Sequence, residues 1–393
     1  MQRLIALMAI FYLIQVYSSN PGLASLPLML YLKETLRLEA NGLAIFQAVA
    51  FLPWVIKPVY GLIIDRFPLF GYQTKGYLLT CFGLTTALFL GLGSVGSYSL
   101  ILLVIGAIAV STCIAFSDVV ADKLMVVEGQ CRGKTDVLQA AQWTAFGLGG
   151  AVMQYTGGWL AERFSLSVAF FCSAIAPLVG LLAILLLLKE RKVEEQKLVT
   201  QTGGVLKLWA VMKSRQFLAI AGFVICFGLV PTPPVFFYVR DTLKFTESFI
   251  GTLGAIQFLG MGLGALAFGI MSQKVGRYHP LLIAVGFNGI SILSFSLMLD
   301  RDTAIFVYFF SGLTNMIAVL GLFDYVARAC PVSLEGTIYA AIVSVNNLAG
   351  SLGFVLGSWL YEGHIDFYVI AIAGASLTGL CWFLIPLLRL KRA

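Results

Sequence analysis

The stretch YLKETLRL, from Tyr31 to Leu38, is written a second time in this chain. Its copy, YVRDTLKF, runs from Tyr238 to Phe245, 207 positions later. At every position of the octet the two residues are identical or of the same chemical type: aromatic, apolar, basic, acidic, hydroxyl, apolar, basic and apolar. A copy placed about half a chain away predicts a duplicated structural unit.

Three further pairs of stretches recur in the same order. They are 61–66 with 269–274, 118–122 with 324–328, and 157–162 with 357–362, at offsets of 208, 206 and 200 residues. Each pair joins one apolar segment to the sixth segment after it. The pattern therefore predicts two six-helix units of the same topology, related by an axis along the membrane normal. The octet is then the outer end of the first helix of each unit.

The composition is that of a membrane protein. Of the 393 residues, 59% are hydrophobic and only 11% are charged, which lies outside the usual balance of soluble proteins. Charged residues cluster between apolar runs of about 20 residues, the length that crosses a bilayer as a helix. We expect twelve spans, at residues 4–31, 41–64, 76–95, 98–122, 136–160, 166–188, 216–239, 248–271, 280–299, 303–328, 335–361 and 367–388.

These spans predict an all-α membrane protein with twelve transmembrane helices in two pseudo-symmetric six-helix bundles. The first bundle comprises residues 1–188 and the second comprises residues 216–393. Residues 189–215 between them are predicted to be a cytoplasmic linker, because charged residues break the apolar pattern there. Its apolar and basic residues from 206 to 213 predict a short interfacial helix.

The basic residues predict the orientation. Nineteen of the 26 Lys and Arg residues fall on the side that holds both termini and six on the other side, while Lys57 lies inside a span. Because basic loops stay in the cytoplasm, both termini should be cytoplasmic. This bias explains the net charge of +7, so we expect no nucleic-acid partner. The bilayer is the expected environment, and the chain is expected to be a monomer.

Catalytic and metal-binding patterns are missing from the sequence. Residues 129–135, GQCRGKT, look like a phosphate-binding loop, but three residues separate the glycines where that loop needs four. The two histidines and seven cysteines show no metal-ligand spacing. We therefore expect no enzyme activity, no bound metal and no cofactor.

A motif follows the second span. Gly61, Asp65 and Arg66 resemble the Gly-x-x-x-Asp-Arg motif that follows the second helix in the major facilitator superfamily. Most members close this motif quickly with glycine and basic residues, whereas this chain inserts residues 67–74 before Lys75. The resemblance implies a gating role for Gly61, Asp65 and Arg66.

The residues that depart from the superfamily pattern, and those around them, resemble one particular family. Residues 51–61 (FLPWVIKPVYG), together with 65–72, resemble the folate-biopterin transporter family, as do 118–122 (DVVAD) and Leu138-Gln139 before Trp143. The resemblance implies the major facilitator fold and a secondary active transporter that moves folates or pterins by alternating access. Two alternatives stay open: a transporter of another organic anion or amphiphilic molecule, and a non-transporting sensor on the same fold.

The resemblance also bears on location. The family occurs in cyanobacteria, plastids and protozoan parasites. We therefore expect a multi-pass protein of a bacterial inner membrane, with a plastid envelope as the alternative.

Lys57 is a charged residue inside a predicted span. A charge in mid-membrane costs about 2.5 to 3.5 kcal/mol, so such a group usually faces the bundle interior or a wet cavity. Lys57 lies between Pro53 and Pro58, which should interrupt helical hydrogen bonding. Either Lys57 acts on the substrate or the gate, or it extends to the cytoplasm or pairs with Asp118 to hold two spans together.

Two aspartates lie four residues apart in the fourth span. Asp118 and Asp122 share one helix face, and two carboxylates in a partly desolvated place resist ionising together. One of them would then suit proton transport. The alternative is that Asp122 pairs with Lys123 or Lys134 at the membrane surface.

The corresponding places in the second unit hold Asp324 and Arg328. These two residues either form an ion pair across one helical turn or bind the substrate. The change from Asp122 to Arg328 makes the two units electrically different, which suits an asymmetric substrate.

Folate chemistry matches these charges. A pterin ring presents adjacent N–H and amine donors that a carboxylate can accept as a pair, and the folate tail carries carboxylates that suit Arg or Lys. Asp118 or Asp324 would bind the ring, and Arg328 or Lys57 the tail.

Further polar residues lie inside the spans. The first helix of each unit should break near mid-membrane, at 17–22 with Asn20 and at 231–234, and matching breaks point to a transport site. The remaining candidates serve either a cavity or helix packing. They are Gln139, Gln142 and Trp143 in the fifth span and Asn346 and Asn347 in the eleventh.

Spans 5 and 8 are rich in glycine, including Gly157, Gly158, Gly251 and Gly254. Small residues let helix backbones approach closely. The resemblance implies that these two spans face each other, so we expect them to be in contact and to rock about that contact.

Overall fold

The computed structural model describes residues 2–19, 22–132, 135–190, 213–272, 279–329 and 335–388. Nearly all of these residues are helical, and the one β feature within these ranges is a bridge between Leu69 and Tyr72. The α-helices are α1 Gln2–Ser18, α2 Ser25–Leu30, α3 Ala40–Val55, α4 Lys57–Arg66, α5 Lys75–Gly93, α6 Leu100–Arg132, α7 Thr135–Arg163, α8 Leu166–Ser173, α9 Ile175–Leu187, α10 Arg215–Gly228, α11 Val235–Phe237, α12 Glu247–Ser272, α13 His279–Ser294, α14 Arg301–Ala329, α15 Glu335–Glu362 and α16 Phe367–Leu380.

These helices account for the twelve predicted spans. Within the described ranges, nine helical segments are long and apolar enough to cross a membrane. Two shorter apolar segments, Phe217–Gly228 and Leu281–Leu297, correspond to spans 7 and 9. Span 5 is α7, which has the required length but is more polar. The chain is therefore a helical integral membrane protein.

The helix that contains the fourth span extends beyond the membrane segment. The span is predicted to end at residue 122 and its apolar segment ends at Met125, whereas α6 itself continues to Arg132. The expectation followed the end of the apolar run. Residues 123–132 contain Lys, Leu, Met, Glu and Gln, which are good helix formers, so the backbone stays helical beyond the apolar part.

The chain divides into two compact units, which are described separately. Unit 1 comprises Met1–Leu38, Val49–Thr200 and Phe245–Phe258, and unit 2 comprises Glu39–Ala48, Gln201–Lys244 and Leu259–Ala393. In unit 1, α1 packs against α7 and α9, and α5 packs against α6, α8 and α9. In unit 2, α13 packs against α14 and α16, and α10 packs against α15. The predicted bundle boundaries at 188 and 216 stay a prediction, and the expected interfacial helix of the linker lies outside the described residues.

Both copies of the octet adopt the same rare local structure. Tyr31–Thr35 and Tyr238–Thr242 are each one turn of π-helix, a form that usually occurs as a single turn within an α-helix. Shortly after these turns, Arg37 and Lys244 both take left-handed backbone, each with a φ of 55°. The outer end of the first helix is thus π-helical in both copies, and the repeat in sequence is a repeat in backbone conformation.

The tyrosine that begins each octet anchors it to a matching loop. The Tyr31 hydroxyl donates to the Tyr98 carbonyl at 3.2 Å, and the Tyr238 hydroxyl donates to the Met298 carbonyl at 3.1 Å. Tyr98 precedes the fourth span and Met298 precedes the tenth. The same contact therefore occurs once in each unit.

The N-terminal caps of α6 and α14, the helices of the fourth and tenth spans, also correspond. Ser99 Oγ accepts from the Leu102 N–H at 3.3 Å at the start of α6. At the start of α14, Asp300 accepts from the Thr303 N–H at 2.9 Å and from its hydroxyl at 2.8 Å. These hydrogen bonds favour the ionised carboxylate and lower the pKa of exposed Asp300 below its ordinary value.

The predicted interruptions are present. α3 contains Pro53 and ends at Val55, Ile56 leaves helical geometry, and α4 begins with Pro58 in its first turn. Proline lacks the N–H that the helical ladder needs, which explains the break. The first span is interrupted after Ser18, and the backbone from 229 to 234 is not helical.

Glu162 and Glu362, which correspond in the repeat, each bind the start of a neighbouring helix. Glu162, at the end of α7, accepts a hydrogen bond from the Ser248 hydroxyl at the start of α12, within unit 1. Glu362, at the end of α15, accepts from the Asn41 N–H at the start of α3, within unit 2. A carboxylate is favourable at the positive end of a helix dipole, so each contact stabilises a helix start.

The expected close approach of spans 5 and 8 is confirmed inside unit 1. A Cβ added to Gly158 of α7 would lie 2.7 Å from the Gly251 Cα of α12. A Cβ added to Gly251 would lie 2.7 Å from the Gln154 carbonyl oxygen. At this crossing the two backbones are in direct contact, and any larger residue would separate them.

The inserted loop 67–74 binds the start of the linker. The Glu190 carboxylate accepts from the backbone N–H groups of Gln73, Thr74 and Lys75 at 3.0, 3.1 and 2.6 Å. Successive backbone N–H groups at a helix start form a natural cradle for an anion. The insertion therefore holds the first linker residues against the N-terminus of α5.

Candidate functional site

The centre of the candidate site is an ion pair inside unit 1. Lys57 Nζ of α4 contacts Asp118 Oδ2 of α6. The side chains are 12% and 3% exposed, so both charges are largely removed from solvent. Of the alternatives for Lys57, the pair with Asp118 is the arrangement that the structure contains. Breaking such a pair from one side would leave an uncompensated buried charge, at a cost of about 3 to 5 kcal/mol.

The proline-induced break between α3 and α4 positions Lys57. Lys57 is the first residue of α4, and its Nζ lies 4.6 Å from the centre of the Trp54 ring. Trp54 is stacked on Phe51 at a centroid distance of 5.7 Å. An ammonium over an indole face gains a cation–π attraction. Two aromatic rings thus support the ammonium on the side of α3.

The second carboxylate, Asp122, has a different set of partners. Asp122 Oδ1 accepts a hydrogen bond of 2.9 Å from the Tyr12 hydroxyl of α1. Gln142 of α7 lies beside the same carboxylate, and the charges of Asp118 and Lys57 act on it. Asp118 is thus held by a cation, whereas Asp122 is held by a neutral hydroxyl. Lys134, one of its two alternative partners, lies outside the described residues.

Two aromatic rings pack against the Tyr12 ring. The Tyr12 ring meets Trp143 edge to face at 6.0 Å and Phe146 at 6.4 Å. Trp143 and Phe146 also pack against each other at 5.7 Å. Tyr12 is buried and Trp143 is partly exposed. The carboxylates therefore lie beside an aromatic wall contributed by α1 and α7.

The amide of Gln142 is fully buried next to this wall. Its Nε2 lies 3.9 Å from the Met8 sulfur, a weak contact at most. Its Oε1 receives no hydrogen bond from any residue within the described ranges. A buried acceptor of this kind is costly unless a donor reaches it in another state of the protein.

The structure brings together five of the residues singled out in the sequence: Lys57, Asp118, Asp122, Gln142 and Trp143. Gly61 lies one turn beyond Lys57, and a Cβ there would be 4.0 Å from a Val119 methyl group of α6. Asn346 and Asn347 lie on α15 in unit 2 and are partly exposed.

The remaining candidates cannot be placed by their side chains. For Asp65, Arg66, Gln139, Asp324 and Arg328 the structure describes the helical backbone alone. Asn20 lies outside the described residues. Within the described part of the chain, no three His, Cys, Asp or Glu side chains are grouped as metal ligands.

Two contributors to the cluster were missed in the sequence. Tyr12 is a hydroxyl-bearing residue within an apolar span, and the more polar run at 17–20 follows it. Trp54 belongs to the motif around Pro53. Trp54 lies two residues before the break at Ile56, and Tyr12 lies about two turns before the break after Ser18, so the signal for both was a polar or aromatic group in a span that a helix break interrupts.

Relatives match most of the chain. The folate-biopterin transporter of Synechocystis sp. is 28% identical over 379 residues, which covers 91% of this chain and 74% of that protein. Folate transporter 2 of Plasmodium falciparum is 27% identical over 369 residues, covering 87% and 77%. The probable folate-biopterin transporter 4 of Arabidopsis thaliana is 25% identical over 407 residues, covering 84% and 83%.

Solved transporters share the fold. The crystal structure of the nucleoside transporter NupG matches with a TM-score of 0.73 at 13% identity and covers 99% of both chains. The D-xylose-proton symporter matches with a TM-score of 0.70 at 13% identity, covering 98% of this chain and 97% of that one. This chain therefore has the major facilitator fold, with twelve helices in two pseudo-symmetric bundles.

The family model of the BT1 family matches residues 19–385. Together with the named relatives, this match shows a membrane transporter. Since the match spans nearly the whole chain, the chain belongs to the BT1 family, the folate-biopterin transporter family of the major facilitator superfamily.

Proposed function

We propose that this transporter moves folates or pterins across its membrane by alternating access, coupled to protons. The observation that carries the proposal is the cluster of one largely buried ammonium and two carboxylates in unit 1. Ionisable groups within a membrane are costly and usually mark the path of a substrate or proton. The names of relatives over most of the chain length support folates and pterins as the substrate class.

The ion pair itself suggests how folate is recognised. A substrate that separates Lys57 from Asp118 must offer each a new partner, because an unpaired buried charge costs about 3 to 5 kcal/mol. Folate carries both partners: a donor edge on the pterin ring for Asp118 and a carboxylate on its tail for Lys57. A pterin without the tail, or a dicarboxylate without the ring, would satisfy only one of the two.

The aromatic wall suits the flat part of the substrate. Partly exposed Trp143 lies beside the carboxylates and is proposed to pack against the pterin ring, with Gln142 supplying a hydrogen-bonding edge. We also propose that the other candidate residues contribute to substrate binding: Asn20, Gln139, Asp324, Arg328, Asn346 and Asn347. Gly61, Asp65 and Arg66 are proposed to serve the gate.

Asp122 is proposed to carry the proton. The Lys57 ammonium contacts Asp118, so Asp122 is the carboxylate of the pair without a direct cationic partner among the described residues. Two carboxylates one helical turn apart favour sharing a proton over ionising together. When Asp122 is protonated, its O–H would find an acceptor in Gln142 Oε1.

Counterflow of labelled folate in proteoliposomes, with and without a pH gradient, tests the proposal. Lys57→Ala and Asp118→Ala should each lower uptake at least about tenfold, because each leaves its partner charge buried and alone. Asp302→Ala removes an exposed carboxylate from the start of α14 and should transport at the wild-type rate. Wild-type uptake in both site variants would reject the site.

Two outcomes of the same assay would favour the alternatives. Efficient competition by an unrelated organic anion, with no competition by folate or biopterin, would indicate a different substrate. Saturable folate binding without counterflow would indicate a sensor on the same fold.

We also propose that both termini are cytoplasmic and that the protein is a monomer in a bacterial inner membrane or a plastid envelope. The excess of basic residues on the side of the termini supports the orientation. Cysteines introduced at residues 1 and 393 should react with an impermeant thiol reagent from the same, cytoplasmic side. Labelling of the two positions from opposite sides would reject this topology.

A further inference from the structure

Asp118 and Asp122 occupy one face of α6, yet their environments are unequal. They are four residues apart, so their side chains are neighbours on the helix surface. One ammonium, that of Lys57, acts on both, but it makes its direct contact with Asp118. Spacing along α6 does not distinguish the two carboxylates, so the difference comes from the groups that other helices place beside them.

Tyr12 is the group in position to do so. Its hydroxyl donates to Asp122 Oδ1 at 2.9 Å. The groups that act on Asp122 are Tyr12 from α1, Lys57 from α4, Gln142 from α7, and Asp118 from α6 itself. Gln142 is also a neutral hydrogen-bonding group beside Asp122, and Tyr12 is the donor whose hydroxyl contacts Asp122 Oδ1 directly. This hydrogen bond holds the Asp122 side chain towards α1 and makes its carboxylate a weaker competitor for the ammonium.

The Tyr12 hydroxyl has little freedom to move away. The side chain is 6% exposed, and edge contacts with Trp143 and Phe146 hold its ring. A buried aromatic side chain packed on two sides keeps one orientation, so its hydroxyl stays aimed at Asp122. A hydrogen bond to a charged acceptor favours its geometry by about ten- to a hundredfold.

We propose that Tyr12 is a positioning residue that keeps the two aspartates distinct, so that Lys57 pairs with Asp118 while Asp122 remains available to exchange a proton. The proton role rests on the proposed function, whereas the choice of ion-pair partner rests on the contacts alone. Without the Tyr12 hydroxyl, Asp122 becomes a second partner for Lys57. Loss of Asp118 should then be tolerated better in the absence of that hydroxyl than in its presence.

The experiment is a rescue measured as the Tm of purified protein in detergent, which needs no substrate. Asp118→Asn should lower Tm because Lys57 loses its partner. Adding Tyr12→Phe should restore at least about half of that loss, since Asp122 can then approach the ammonium. The matched control adds Tyr98→Phe, which removes a buried tyrosine hydroxyl bound to the Leu92 carbonyl at 2.8 Å, and should restore nothing.

Three results would overturn the proposal: an unchanged Tm in Asp118→Asn, a Tyr12→Phe double variant no more stable than the single one, or an equal rescue by Tyr98→Phe.

Transport gives a second readout. Tyr12→Phe alone should change the shape of the pH profile of counterflow, because Asp122 is drawn towards Lys57. A fall in rate by the same factor at every pH would indicate a structural role only and would contradict the proposal. Failure of folate as a substrate would leave the Tm result unaffected, so the two failures are distinguishable.

Discussion

An ion pair links the second and fourth spans, whereas direct backbone contact links their counterparts in the repeat, the eighth and tenth spans. In unit 1, Lys57 and Asp118 link α4 to α6. The positions 207 and 208 residues after Lys57 hold Gly264 and Ala265. In unit 2, a Cβ on Gly264 of α12 would lie 2.4 Å from the Leu313 carbonyl oxygen of α14. The same pair of helices in the repeat is thus held together by two different physical means.

The difference separates what the duplication kept from what it changed. Both copies keep the π-helical turn at 31–35 and 238–242, the left-handed residue after it, and the tyrosine bound to the following loop. These features shape the backbone. The ion pair, by contrast, is not copied: Asp118 corresponds to Asp324, but no cation stands where Lys57 would recur. The two copies share these backbone features but not the ion pair, which suits the asymmetric substrate proposed above.

The largest effect should come from breaking the backbone contact of unit 2. Gly264→Ala places a methyl group 2.4 Å from a backbone oxygen, so α12 and α14 must move apart. We expect a loss of stability of more than about 3 kcal/mol, measured by thermal unfolding of the purified protein. Gly262→Ala is the matched control, because a Cβ there meets nothing within 4 Å among the described atoms. The control should be neutral or slightly stabilising, since alanine favours the helix.

A tolerated Gly264→Ala would show that unit 2 does not depend on close backbone contact at this crossing. A similarly large effect at Gly262 would place the cost in the helix itself and would remove the contrast with unit 1.

The next effect tests whether the charges of unit 1 serve function or packing. Lys57→Met with Asp118→Leu removes both charges of the ion pair between α4 and α6. Either change alone should cost about 3 kcal/mol by leaving one buried charge, whereas the double variant should stay within about 1 kcal/mol of the wild type. Folate counterflow should nevertheless be lost. A stable double variant that still transports would assign the ion pair to packing alone.

The smallest effect concerns the feature in which the copies agree. Arg37 and Lys244 have a φ of 55°, where glycine is unstrained and other residues are not. Arg37→Gly and Lys244→Gly should each stabilise by about 0.5 to 1 kcal/mol, and by similar amounts. Leu36→Gly, at a φ of −87°, is the control and should destabilise. If glycine stabilised the protein at one of Arg37 and Lys244 and destabilised it at the other, the octet would not set its own conformation.

Several parts of the fold could be read from the sequence because they follow from local rules. The spans follow from apolar length, and the break at Ile56 follows from the prolines at 53 and 58. Apolar length predicted the fourth membrane segment but not the end of α6, because helix propensity decides where the helix stops. The π-helical turn had no recognisable signal beyond its repetition.

The site was less predictable. The sequence placed Asp118 and Asp122 on one helix face and left the partner of Lys57 open. It did not indicate Tyr12, which is 110 residues from Asp122 and on another helix. Spacing along a helix relates neighbours within that helix, and it carries no information on which side chain of α1 meets which residue of α6.

The sequence by itself determined that the chain crosses a membrane twelve times as a duplicated unit and that a few charges lie inside the spans. These features depend on composition and on local spacing along the chain, and both can be read directly from the sequence. The tertiary structure decided which charges meet: Lys57 with Asp118, and Tyr12 with Asp122. That choice depends on how α1, α4 and α6 pack, because a buried ion or hydroxyl takes the partner within about 3 Å, whatever its position along the chain.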